Sequence, residues 1–215
     1  MSENQKEENL SKKSGWDFTI ANFVSNVLNP PLVAAGGIFL MAAFIGNGAW
    51  TWAAIFVLIV VAIPTLYVVW LLKRGEIDSF HIPNREKRHK PYLVIIASNI
   101  LGVIVLMLGN APFLLIAFGV IGIVQSTLLF LINRFWKISG HTTAISGLSV
   151  FLVAAVGWEV AYVLVAIPLV AWARIRTKSH SLPQTMAGVL TGTTFILTTW
   201  YLIKLTCDSG VLICG

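Results

Sequence analysis

His180 lies six residues after Arg174 and four before Gln184, in the polar segment ARIRTKSHSLPQ between two apolar runs. An imidazole attacks phosphorus well when a neighbour holds its other ring nitrogen. The Gln184 amide oxygen can accept that N–H, although it lacks a carboxylate's charge. Arg174 presents a planar fork of donors that matches phosphoryl oxygens. The same segment also fits cations snorkelling at a membrane interface beside a bystander histidine.

His141 follows Ser139 and Gly140 and opens another apolar run. A helix starting there turns free backbone N–H groups towards an anion. A histidine in its first turn can protonate a leaving oxygen. The plainer role for the tripeptide is an N-cap at Ser139 with His141 at the interface. A third polar segment, PNREKRHKP, places Arg85 and Arg88 three apart with Lys87 between them. If that segment is helical, the two guanidiniums share a face and can grip a phosphate or diphosphate. These charges also suit membrane topology or attraction to anionic lipid. The remaining histidines, His81 and His89, fall in the same loop.

The elements that must position these residues follow from composition. The chain has 215 residues, of which 57% are hydrophobic and 11% charged, and its mean hydropathy is +0.82. Soluble domains carry about 25% charged residues. The soluble globular, disordered and disulfide-scaffold classes are therefore excluded. The apolar stretches are continuous rather than alternating, which excludes an outer-membrane barrel. An all-α polytopic membrane helical bundle of about six to seven transmembrane helices remains.

Apolar runs cover 32–46, 51–72, 92–108, 112–132, 141–157, 160–173 and 186–204. Residues 1–15 read as a disordered polar tail. Residues 16–30 place Trp16, Ile20, Phe23, Val27 and Leu28 at helical spacing, as in an amphipathic helix lying in the interface. Residues 31–206 form a single transmembrane helical domain, and 207–215 a short tail. Pro64 and Pro168 are expected to kink their spans. Asn99, Gln125 and Ser126 are expected to bond between helices. Cys207 and Cys214 read as incidental thiols, with a disulfide on an oxidising face as the alternative.

The net charge of +6 does not point to nucleic acid, because the basic residues sit in short loops. With seven spans, all of the 15 Lys and Arg except Lys204 fall on one side. The positive-inside rule makes that side cytoplasmic, and the cell membrane is the expected location. A phosphate site also gathers cations, whichever side it faces.

Together, KISGH and ARIRTKSHSLPQTMAG resemble the second and third motifs of the type-2 phosphatidic acid phosphatase superfamily. The second motif there is Pro-Ser-Gly-His, and Ile138 stands in the proline's place. The third is Ser-Arg-x5-His-x3-Asp-x3-Gly. Arg174, His180 and Gly188 match it, while Ala173 and Gln184 replace its serine and aspartate. One helical hairpin separates the motifs, as in that family. The first motif, Lys-x6-Arg-Pro, is not matched literally: Lys90 precedes Pro91, and Pro83 occupies the lysine position. Glutamine at position 184 is similar to the third motif of dolichyl-diphosphate phosphatases, which favours polyprenyl phosphates or diphosphates.

The resemblance implies that His180 forms a phosphohistidine and His141 protonates the leaving group. It implies that Arg174, Arg88 and Arg85 hold the non-bridging oxygens, with Lys87, Ser139 and Gly140 also in the phosphate site. It implies a membrane lipid substrate, no metal and no cofactor. It also implies a site facing away from the cytosol, opposite to the charge bias. Two other classes compete. The motif replacements suit a weakened protein that binds or transports phospholipid or polyprenyl phosphate. Glu76 and Asp78 faintly resemble a prenyltransferase's acidic loop, but such an enzyme needs two carboxylate clusters for magnesium.

Overall fold

A computed structural model describes residues 15–208, except 47, 81 and 83. The tail before Gly15, His81, Pro83 and both cysteine side chains lie outside the described residues. Helix is the one regular structure among the described residues, with no strand among them. It divides into two compact units, a central one of residues 31–138 and a split one of residues 1–30 with 139–215.

Each apolar run becomes one helical segment. Helix α1 is Trp16–Val27, and α2, Pro30–Ile45, starts on the proline pair. Proline suits a first turn because its missing N–H has no partner there in any case. Gly46 and Gly48, at φ 89° and 86°, then turn the chain into α3, Ala49–Lys73. A π-helical turn over Leu58–Ala62 precedes Pro64. That wide turn makes room for a ring that would otherwise meet the carbonyl four residues back.

Helix α4, Glu86–Leu108, begins with a 3-10 turn, and α5 is Phe113–Phe135. The two pack together. A methyl group at Gly119 would come within 2.7 Å of Val103, and one at Gly122 within 2.7 Å of the Asn99 oxygen. The expected interhelical bonds are not what Asn99 and Ser126 make. Asn99 Nδ2 donates to Ile95 O at 2.8 Å and Ser126 Oγ to Ile123 O at 3.0 Å. Each satisfies itself on its own helix, which needs no partner at the right height on a neighbour.

The split unit holds α1, α6 (Gly140–Val156), α7 (Trp158–Arg176) and α8 (Leu182–Asp208). The first eight residues of α7, Trp158–Val165, are 3-10 helix, and Pro168 follows in the α-helical part. Ala21, Val24 and Ser25 are buried on α1, which packs on α7. Trp16, Ile20, Phe23 and Val27 form an exposed apolar stripe.

Helices α6 and α8 approach closely through Gly188 and Gly192. A Cβ at Gly192 would collide with Thr143 O and Ser146 Oγ. Gly192→Ala is therefore expected to cost about 1–3 kcal/mol. It should lower the thermal midpoint in detergent, whereas alanine at Gly36, which has open space around it, should not.

Among the described residues four helices, α3, α4, α5 and α7, are long and apolar enough to cross a membrane, or five if α1 and α2 form one broken span. Large apolar side chains such as Leu66, Leu93, Leu108, Leu131 and Leu190 lie exposed along the helices. Water does not tolerate so much apolar surface, but lipid does. These features fit an integral membrane protein.

Candidate active site

The site lies in the split unit, where α7 ends and α6 and α8 begin. The last turn of α7 closes on itself: Thr177 Oγ1 donates to Ala173 O at 2.8 Å, and Lys178 takes φ 53°. A left-handed residue just past a helix end reverses the chain and lets the last carbonyls be met. Here the Arg174 carbonyl accepts from both Ser179 N at 3.0 Å and His180 N at 3.1 Å. The backbone of one motif residue thus seats the other. Arg174 is only 3% exposed and His180 7%.

Gln184 then does two things with one atom. Its Oε1 accepts from Ser181 N at 3.1 Å and lies 3.2 Å from His180 Nδ1. The first contact is half of a capping box, Ser181-x-x-Gln184, which satisfies an orphan N–H at the start of α8. That signal was present in the sequence as S-L-P-Q and was missed. The first contact also settles the second. A main-chain N–H can only donate, so the Gln184 atom facing it is the oxygen. An oxygen at that place bonds His180 Nδ1 only if Nδ1 carries the proton. In the neutral ring the lone pair of His180 is then on Nε2.

Ser139 caps α6, its Oγ accepting from Thr142 N at 3.4 Å. The cap is tied to the start of α8 by Ser139 N to Gln184 O at 3.3 Å and Thr142 Oγ1 to Thr185 O at 3.0 Å. The two sequence motifs therefore meet at Gln184 and Thr185. Gly188 permits this, because a methyl group there would collide with Thr142 Oγ1 and come within 2.6 Å of Ser139 O. Ser139 is fully buried and His141 is 7% exposed. A methyl group built at Gly140 would meet nothing within 4 Å, so space lies beside the N-terminus of α6. An anion there would meet the positive end of a helix of 17 residues.

The other expected phosphate ligands belong to the central unit. Arg85 Nη1 donates to Phe135 O at 2.7 Å, and Asn133 Nδ2 to Arg85 O at 3.2 Å. Arg88 is buried and donates from Nε to Ile82 O at 2.7 Å. Arg85 and Arg88 stand at the ends of one 3-10 turn, joined by Arg88 N to Arg85 O at 3.1 Å. Lys87 lies 3.5 Å from Asp78, and Glu76 lies between Arg74 at 3.8 Å and Lys90 at 3.9 Å. His89 meets the edge of Phe130, ring centroids 5.9 Å apart. Glu76 and Asp78 are thus both engaged by cations. Among the described residues no group of three or more His, Cys, Asp or Glu side chains could hold a metal ion.

Sequence reasoning missed Asp17 and Arg176. Arg176, the last residue of α7, donates from Nε to Asp17 Oδ2 at 2.5 Å and from Nη2 to Asp17 Oδ1 at 3.1 Å. The pair is 159 positions apart, beyond the reach of any local pattern. No protein-family model, curated protein or solved structure matches the chain.

Proposed function

We propose that this chain is an integral membrane lipid phosphatase. Its substrate is an isoprenoid phosphate or diphosphate, or a phosphatidate-like lipid. It works through a phosphohistidine on His180. The observation that carries this reading is the Gln184 oxygen shared by Ser181 N and His180 Nδ1, which leaves the nucleophilic lone pair on Nε2.

In the first step Nε2 attacks the terminal phosphorus, and the bond from it to the lipid's ester oxygen, or in a diphosphate to the bridging oxygen, breaks. His141 gives its proton to the leaving alkoxide or phosphate. The imidazole becomes cationic, and the Gln184 oxygen stabilises its Nδ1–H. In the second step water attacks phosphorus, His141 takes a proton from it, and the P–N bond breaks. Inorganic phosphate leaves and Nε2 regains its lone pair. Arg174 and the N-terminus of α6 hold the charge that gathers on the phosphoryl oxygens. Such preorganised donors act strongly where water is excluded.

We place the chain in the cell membrane with six to seven crossings. Seven apolar runs in the sequence support that count, and four or five of the resulting helices have the length and apolarity of a crossing. Arg174, Arg176 and Lys178, at the end of α7, support a cytoplasmic site.

The test is phosphate release by purified protein in EDTA, with phosphatidate, a polyprenyl phosphate and a polyprenyl diphosphate offered in parallel. Release that requires His180 is expected. Gln184→Glu supplies a further check. A carboxylate beside Nδ1 stabilises the imidazolium, so His180 stays protonated to higher pH. The acid limb of the pH–rate profile should rise by about one unit or more, with release retained above it.

A second reading is favoured by the capping bond, which gives Gln184 a structural role without any chemistry. The chain would then bind or transport phospholipid or polyprenyl phosphate. Lipid binding that survives His180→Ala, with no phosphate released by the unaltered protein, would support it.

A further inference from the structure

We infer that Asp17 and Arg176 are positioning residues for His180: the N-terminal helix clamps the turn that seats the nucleophile. This rests on His180 being the reacting group. Arg176 stands two residues after Arg174 and four before His180. The turn between them hangs on one carbonyl, Arg174 O, which accepts the Ser179 and His180 amides. The end of a helix frays unless something outside it holds the last turn. Here the holder is α1. Asp17 grips the Arg176 guanidinium through both carboxylate oxygens, and the Phe18 ring lies 5.7 Å from its Cζ.

The grip is itself fixed at its base. Asp17 Oδ1 also accepts from Phe18 N at 2.9 Å, and Gly15 O accepts from Phe18 N and Thr19 N at 3.0 and 3.2 Å. The carboxylate therefore cannot swing away without giving up its own bond to Phe18 N. The pair is only partly exposed, with side chains 25% and 37% accessible. A bidentate, half-buried pair has more geometric authority than an isolated surface contact. Its consequence is directional. Rotating the last turn of α7 would move Arg174 O, and with it the two amides that place His180 against Gln184. Neither Asp17 nor Arg176 is asked to touch the lipid phosphate.

The experiment compares the full chain with Asp17→Asn, Asp17→Glu, the exchanged pair Asp17→Arg with Arg176→Asp, and His180→Ala. Phosphate release and backbone hydrogen exchange are both measured. Asp17→Asn should lower kcat about tenfold while KM stays within about twofold, because orientation rather than binding is lost. Exchange at Ser179 and His180 should quicken about tenfold, with α6 unchanged. Asp17→Glu should restore most of the rate, and the exchanged pair part of it. Unchanged kcat and unchanged exchange in Asp17→Asn would overturn the inference. So would a loss that Asp17→Glu does not relieve, or one that appears in KM alone. If the unaltered protein and His180→Ala both release no phosphate, the phosphatase reading fails. The exchange comparison then decides the clamp alone: quickening at Ser179 and His180 supports it, and its absence rejects it.

Discussion

Replacing His180 by alanine should reduce phosphate release by more than about a thousandfold. The loss should fall on kcat, since Arg174 and the start of α6, the proposed phosphate contacts, are left in place. Alanine removes the only atom that the mechanism bonds to phosphorus. It also leaves the Gln184 oxygen bonded to Ser181 N, so the start of α8 keeps its cap and the fold should persist. Thermal melting in detergent checks that point. A variant that melts normally and releases nothing assigns the loss to chemistry. A variant that melts normally and retains full release removes His180 from the mechanism.

His141→Ala should show the second largest loss, and the size should depend on the leaving group. General acid catalysis contributes about 10²–10⁴-fold. That contribution is needed most when the departing oxygen is a basic alkoxide, as in a lipid monophosphate. It is needed least when the departing group is already acidic, as in an aryl phosphate bearing a nitro group. Turnover of a polyprenyl monophosphate should therefore fall by about a hundredfold or more, and turnover of the activated ester by about tenfold or less. Equal losses on the two substrates would make His141 a structural residue of the α6 cap. The buried setting of His141, 7% exposed, makes that control necessary.

The helices were legible because their causes are local. Continuous apolar runs, broken by Pro30, Gly46, Gly109 and Gly157, already mark where a helix can begin and end. Ser139 could be read as a cap from its place before an apolar run, and it caps. Pro64 and Pro168 announced a disturbance, but not its form. The wide turn at Leu58–Ala62 and the 3-10 stretch of Trp158–Val165 depend on how each helix absorbs a missing N–H.

What stayed hidden depends on partners distant in sequence. The spacing of Arg174, His180 and Gln184 suggested that the last two could meet, and the structure puts them 3.2 Å apart. It did not show that the same oxygen also caps α8, although Ser181-x-x-Gln184 carried that signal. Asn99 and Ser126 were expected to bond across helices and bond their own instead. A polar side chain inside an apolar helix takes the nearest carbonyl, and that carbonyl is in its own previous turn. Arg85 and Arg88 illustrate the same limit. Both were read as phosphate ligands, and each has a main-chain carbonyl within 2.7 Å. Sequence shows that a cation is present, but not which oxygen it meets.

The most direct test of the phosphohistidine is to trap it. The full chain in detergent with EDTA would be mixed with lipid substrate carrying radiolabelled phosphate, then quenched and analysed by peptide mass spectrometry. The label should be found on His180 as an acid-labile, alkali-stable adduct, and should vanish in His180→Ala. Release of phosphate by a protein that never carries the label, and that keeps its rate in His180→Ala, would contradict the account.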